Sequence, residues 1–551
     1  MKLKHLYMLG VVALMTASCN EDRFLDLKPQ GSLNEDIMTS TEGGGGVGDL
    51  NEVHRMETFD MDATNGFLDS KWYHLYCSVQ RCNSALRVLN AATDEQVNGR
   101  VSRIAEMKVL RAHYYFELSR LFNKIPYFDE NVEISQYPDI PNNEFTRDEI
   151  LSMLAKEMLD AAELLPASQS EVGRIHKYIA LAYAAKIKLY QAYQQDETTH
   201  AVTSINKELL REVVSLCDQV TASNRYGLLD DFQGLDLVAN ENGKESVFAI
   251  QYSMNDGTES AGRINWSNLL NSPGGGSPYG GDGFFLPSQD LINAYQTDAN
   301  GLPDFNYQSK SDYSWAVLNN GVYTLQNTTP NVDPRLDFVV GRPTITWKTY
   351  PDKPCEGWVR DKETYGYNCA KRFWVSPESS DMFNGWPWGA SQLNWQIIRY
   401  ADILLWKAEA LIELNEGDGL ETARDLINQI RNRARNSAYV KDFNDHSNYA
   451  ANYLVNPYPA DVWNQDYARQ ALRWETRLEK ALEGERFFDL VRWGIVETTM
   501  NKYITAESDN RIYYANAHFT GGKDEYYPVP NNQYGFSGGK YVQNPGYAPF
   551  N

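Results

Sequence analysis

Apolar residues recur at helical spacing over two long blocks of this chain, and that spacing constrains the fold more than any other feature. Across residues 72–91 they fall at Tyr76, Val79, Ala85 and Val88–Leu89. Across 101–122 they fall at Ile104, Val109, Ala112, Phe116 and Leu121, and Pro126 stops the run. Thr146, with Glu149 three residues on, reads as a capping box that opens a helix running to Leu165 ahead of Pro166. Residues 174–193, with small Ala180, Ala182, Ala184 and Ala185, and residues 209–222 add two more helices. The pattern resumes at 397–414, 420–435 and 465–491. Paired helices of this length, with small residues on one side and aromatics on the other, predict tetratricopeptide-like hairpins, although the strict repeat consensus is not matched.

The middle of the chain, residues 226–395, has a different character. It is rich in Gly, Pro, Asn and aromatics, and Ser246-Val-Phe-Ala-Ile-Gln-Tyr alternates as a strand does. Residues 271–283 include Pro273, Gly274, Gly275, Gly276, Pro278, Gly280, Gly281 and Gly283, for which only loop fits. Long loops on a compact body are often binding elements. The chain holds 13 Trp, 35 Tyr and 21 Phe, and many lie here. A flat indole suits the C–H face of a sugar ring, and neighbouring polar groups can bond the hydroxyls. Trp386-Pro387-Trp388 is the most suggestive group, a stiffened loop carrying two indoles. Trp374, Trp315, Tyr279 and Phe284 are further candidates. Arg372 could fork onto hydroxyls, and Trp72, at the start of the first long helix, could face the same cleft. The plainer reading of any one of these aromatics is a hydrophobic plug of the loop layer; of the set, at least two are expected to touch ligand. Trp395, Trp406, Trp474 and Trp493 lie in or beside helices and read as core.

The first residues carry an address. Lys2 and Lys4 precede an apolar run from Leu6 to Met15, followed by Thr16-Ala17-Ser18-Cys19. This is the pattern of a secretory signal, too short to span a bilayer as a helix. Cys19 after Ala17-Ser18 resembles a bacterial lipobox, which implies cleavage before Cys19, acylation of Cys19 and anchoring through the acyl chains. Asn20-Glu21-Asp22 resembles the surface-export signal of Bacteroidetes lipoproteins.

Charge and cysteines narrow the function classes. The formal net charge is −22, and removal of residues 1–18 leaves 49 basic against 73 acidic residues. That balance disfavours nucleic acid and anionic lipid as partners. Of the other cysteines, Cys355 and Cys369 could pair in the loop-rich middle, while Cys77 and Cys82 read as small side chains of one helix. There is no C-x-x-C pair and the eight His do not cluster, so no structural zinc is expected. Glu475, Glu479, Glu483, Glu485 and Asp489 interleave with Arg473, Arg477, Lys480, Arg486 and Arg492. They could supply a carboxylate pair for glycoside cleavage, but pairing from i to i+4 along a helix is the plainer reading. Gly535-Phe-Ser537-Gly-Gly539 has the letters of a nucleophile elbow without the flanking strand and helix, and Gly43–Gly48 fits a dinucleotide motif by composition alone.

Taken together, the motifs resemble the SusD/RagB family of Bacteroidetes outer-membrane lipoproteins. The carriers are the lipobox with its acidic residues, Phe24-Leu-Asp-Leu-Lys-Pro, Ala105-Glu-Met-Lys-Val-Leu-Arg-Ala-His-Tyr-Tyr-Phe and Asp333-Pro-Arg-Leu-Asp. Ile398-Arg-Tyr-Ala-Asp-Ile-Leu-Leu-Trp-Lys-Ala-Glu-Ala, the segment from Arg477 to Gly494 and Tyr527-Pro-Val-Pro complete the set. The resemblance implies a mainly α fold, with four tetratricopeptide-like helix pairs packed against a loop-rich, irregular region. It divides the chain into a signal (1–18), an anchored extended segment (19–42), an N-terminal helical region (43–225), an aromatic ligand-binding region (226–395) and a C-terminal helical region with its tail (396–551). It also implies a non-catalytic, glycan-binding surface protein, the hinged lid of a SusC-like TonB-dependent transporter. The alternatives are a lipid-anchored glycoside hydrolase and a peptide-binding member of the same family. No cofactor is expected, with calcium left open. In one place the chain departs from the family pattern. Members usually carry a helix and an Asn/Asp-rich stretch where Thr41-Glu42 here runs straight into Gly43. The resemblance implies that a segment of some tens of residues is missing from this sequence after Glu42, and with it core-facing residues of the first helix and part of the site.

Overall fold

The computed structural model describes residues 50–550 apart from 258–262, 315, 320–321, 326–329, 355, 360–367 and 510. The lipobox at Cys19, the glycine run after Glu42, Trp315 and Cys355 therefore lie outside the described residues.

The expected helices are present, with firm starts. Helix α1 spans Asn51–Glu57. Helix α2, Gly66–Ala91, begins six residues earlier than its apolar spacing suggests, because Asn65 accepts hydrogen bonds from the amides of Phe67 and Leu68. Helix α3 spans Arg100–Phe122. Helix α4, Arg147–Leu164, opens on the Thr146–Glu149 capping box. Helix α5 spans Lys177–Ala192, and α6, Lys207–Thr221, is capped by Asn206. Each of α2 to α6 packs against the next in sequence.

The second helical block differs from expectation in two places. Residues 397–399 are extended: Trp395–Arg399 is a strand antiparallel to Ser246–Ile250, with Trp395 opposite Ile250 and Arg399 opposite Ser246. We label them β2 and β1. Helix α9, Tyr400–Leu414, then starts where the Asp402 carboxylate accepts from the Arg399 amide at 2.7 Å. Residues 465–491 are two helices, α11 (Gln465–Glu479) and α12 (Arg486–Arg492). Between them Leu482 and Gly484 take left-handed φ of 65° and 80°. The polar–apolar pattern runs through this break unchanged, and Gly484 was its one local sign. Helix α10 (Gly419–Asn436) packs on α9 and α11, and α9 packs on α6, so the two helical blocks are joined. Helix α13 (Val496–Glu507) was not expected. The intervening α7 (Gln289–Ala294) and α8 (Arg335–Val339) are short, and the middle is otherwise loops and two-stranded ladders.

One large apolar core runs from Met56 through Phe116, Tyr183, Phe248 and Trp406 to Val529 and Tyr541, threading both helical blocks. Separate aromatic clusters lie in the loop layer. No described helix is long and apolar enough to cross a membrane.

Trp72 belongs to the main core, and its candidacy as a ligand residue is withdrawn. It is 2% exposed and meets Phe122 edge-on at 5.0 Å. Trp72→Ala is expected to cost about 3–5 kcal/mol of stability, as deletion of a buried indole does. Denaturant unfolding reads the cost, and ligand affinity of the folded fraction should not change.

Candidate functional site

The acidic residues of α11 and the turn after it form a buried hub, not an open carboxylate pair. Glu475 and Glu479 are fully buried. Arg335, from α8, pairs with Asp333 at 2.7 Å, Glu475 at 2.6 Å and Glu479 at 3.2 Å. Arg431 of α10 reaches Glu475 at 3.1 Å, and Arg433 pairs with Glu479 and Glu245. Arg399 pairs with Glu245, Glu479 and Glu483 at 2.8, 3.1 and 2.7 Å. These are ties between elements; pairing along the segment itself is at i to i+3, Lys480 with Glu483 at 3.0 Å and Asp489 with Arg492 at 2.7 Å. Arg372 belongs to the ties as well. It is 3% exposed and bonds Asp236 and Glu483 at 3.0 Å each, so it is withdrawn as a ligand residue. The Asp-Pro-Arg and Arg-Tyr-Ala-Asp motifs, with the segment from Arg477, thus meet at one polar centre.

The electrostatics of the hub run against acid–base chemistry. Burial opposes ionisation of Glu483, but Arg399, Lys480 and Arg372 outweigh it and hold the carboxyl well below the usual range. Burial likewise opposes ionisation of Glu485, and Arg120, Lys186 and Lys480 pull it down to about 2. A general acid needs the reverse, a carboxyl held protonated beside an open cleft. Ser537 of the elbow-like motif is 1% exposed, and its hydroxyl donates to the Tyr534 carbonyl, as in a turn.

A second set of acids is pushed the other way. Burial raises Glu241, Glu507 and Glu525 to about 7 and Asp489 to about 6. The raised acids cost stability when ionised, and that cost is relieved as pH falls through 7 and 6. The lowered acids contribute stability that is complete above about 4.3, the unfolded glutamate value, and lost as pH falls through their folded values. Replacing Glu241, Glu507 and Glu525 together by glutamine is therefore expected to raise the melting temperature more at pH 8, where the wild-type carboxyls ionise while buried, than at pH 5. Differential scanning calorimetry of the variant and the wild type at the two pH values checks it; an equal shift at pH 8 and pH 5 would contradict it.

The loop aromatics divide into a buried stack and an exposed ledge. In the stack, Trp374 is 1% exposed and donates its indole N–H to the Ser272 carbonyl at 2.8 Å. Tyr279 lies on it with centroids 4.4 Å apart and donates its hydroxyl to the Val375 carbonyl. Trp347 donates to the Tyr279 hydroxyl at 2.8 Å, and Trp358 meets Trp347 edge-on at 5.3 Å. The polar tips of Trp374, Tyr279 and Trp347 are spent inside, as buried aromatics require. Trp374 and Tyr279 therefore support the layer and are withdrawn as ligand contacts. Phe284, also 3% exposed, is withdrawn for the same reason.

Trp386 and Trp388 form the ledge. They are 55% and 46% exposed, while Pro387 between them is buried. Residues 385–389 run through bends and a turn, so the two indoles, two residues apart, are placed by the loop and not by strand alternation. Trp386 is held edge-on against Trp266, with centroids 5.0 Å apart and planes at 88°. Trp388 lies over Gly280, where an added Cβ would come within 3.2 Å of the indole. Gly389 has φ +71°, and a Cβ there would fall 2.4 Å from Trp374. These glycines seat the ledge on the stack, a role the sequence reading assigned only to loop. Asn384, exposed two residues before Trp386, is the nearest polar side chain along the chain and was not singled out. Among the described residues, no group of three His, Cys, Asp or Glu is placed to hold a metal ion.

The SusD family model matches residues 244–547, more than half of the chain. The chain belongs to the SusD family. A second SusD-like model, described as starch-binding and associating with the outer membrane, matches residues 24–189. A SusD-like protein of Bacteroides ovatus is 22% identical over 538 residues, covering 89% of this chain and 82% of the relative. A SusD superfamily structure from Bacteroides vulgatus has a TM-score of 0.68 at 21% identity, covering 94% of this chain and 93% of that one. Surface glycan-binding protein A from Bacteroides thetaiotaomicron, solved in complex with laminarihexaose, has a TM-score of 0.61 at 19% identity and 94% coverage of both chains. The mainly α SusD-like fold expected from the motifs is thus the fold of this chain.

Proposed function

We propose that this SusD-family protein is a cell-surface lipoprotein that captures oligo- or polysaccharide without cleaving it. The observation that carries the reading is the ledge: two half-exposed indoles two residues apart in one loop, backed by a hydrogen-bonded aromatic stack. Exposed aromatic faces beside polar groups suit sugar rings. The starch-binding description of the second matched model and the laminarihexaose complex of a structural neighbour support the same ligand class. The burial of the hub carboxylates supports a binding role over hydrolysis.

In this reading Cys19 carries the acyl chains that hold the body on the outer face of the outer membrane. The body serves as the lid of a SusC-like TonB-dependent transporter, which supplies the energy of uptake. Incubation of the protein with a bound oligosaccharide, followed by chromatography of the products, tests the reading. Recovery of unchanged saccharide is the expected result, and shortened products would favour the hydrolase.

A further inference from the structure

A groove of about 520 Å³, in the range of ligand pockets, opens among residues that the ledge does not use. It lies between the loop before α5, the start of α5, the turn after α6 and strand β1. Gln169, His176, Arg225, Tyr226, Asn242 and Gln251 line it, together with backbone of β1.

The charges of this groove are largely spent. Arg174 pairs with Glu106 and Glu171 at 2.5 Å each, and Lys244 pairs with Asp230 at 2.9 Å. Arg225 makes no ion pair with a carboxylate among the described residues. The remaining groups are neutral hydrogen-bonding groups. Asn242 and Gln251 bond each other at 2.9 and 3.0 Å, which fixes their amides. Tyr226 stacks on His176 with planes at 21° and lies 3.3 Å from its Nε2. His176 Nδ1 is buried and has no hydrogen-bond partner among the described residues. Burial first, then the charge of Arg225, hold that imidazole neutral, its pKa down to about 4.

Planar amides, a phenol, a neutral imidazole and the Arg225 guanidinium, itself hydrogen-bonded to the Tyr226 hydroxyl, offer both donors and acceptors. A sugar hydroxyl donates and accepts at once and satisfies both kinds. A carboxylate- or sulfate-bearing ligand would gain one cation without a carboxylate partner, Arg225, and would face Glu171. We propose that this groove is a second carbohydrate site, separate from the Trp386–Trp388 ledge, that takes a short segment of neutral, hydroxyl-rich oligosaccharide.

The test is hydrogen–deuterium exchange of the whole protein with laminarihexaose, maltohexaose and xylohexaose, with trigalacturonate as the anionic comparison. At least one neutral hexasaccharide should slow exchange across residues 169–179 and 242–251. The protection should persist in the Trp386→Ala/Trp388→Ala variant, so a failed ledge leaves this result standing. Arg225→Ala, a change at an exposed side chain, should weaken the protecting sugar by about tenfold or more, as loss of a charge-assisted hydrogen bond does. Protection by trigalacturonate alone, loss of protection in the ledge variant, no protection by any probe, or an unchanged Arg225→Ala affinity would each overturn the proposal.

Discussion

Replacing Trp386 and Trp388 together by alanine is expected to weaken glycan binding by at least about a hundredfold and to leave the fold intact. A well-placed aromatic contact contributes about 2 kcal/mol at a binding hot spot, and about 1.4 kcal/mol is a factor of ten. Both side chains are about half exposed, so truncation opens no internal cavity. Isothermal titration calorimetry of each single variant and the double variant checks the prediction. The contrast with Trp374 separates contact from support. Trp374→Ala removes a buried indole and strands the Ser272 carbonyl, so it should lower stability, and weaken binding only through disorder of the ledge above it.

The second large effect concerns the hub. Arg335→Ala removes the cation shared by Asp333, Glu475 and Glu479, all fully buried. Breaking a buried ion pair from one side costs about 3–5 kcal/mol, because the remaining charges stay desolvated and unpaired. The loss here is expected at or above that range. Lys156→Ala is the comparison: Lys156 pairs with Asp160 at 2.5 Å, but its side chain is 75% exposed. Such surface pairs contribute about 0–1 kcal/mol. Urea unfolding of both variants checks the contrast, and a change below about 1 kcal/mol for Arg335→Ala would mean that the hub is not a main support of the fold.

Features set by near neighbours in sequence were legible; features set by distant ones were not. The 3.6-residue spacing, the Thr146–Glu149 box and Pro166 placed helices α2 to α6 to within a few residues. The same spacing marks Trp72 for burial, with Tyr76 and Val79 at i+4 and i+7, and its place among the ligand candidates overlooked that stripe. The partners of Glu475 and Glu479 were not. Reading along the helix offers only on-helix neighbours, whereas Arg335 lies 140 residues from Glu475. The same limit applies to the tryptophans of the middle. Nothing local separates Trp374 from Trp386, since burial there follows from backbone packing that the glycine-rich loops alone permit. Gly389 shows this directly: its left-handed φ and missing Cβ let the ledge lie on Trp374.

The most direct measurement is affinity electrophoresis of the wild-type protein through gels containing plant, microbial or host polysaccharides, with each polysaccharide recovered and sized afterwards. The account predicts that at least one polysaccharide retards the protein and is recovered at its original length. Retardation by none of them, or recovery of shortened chains, would contradict it.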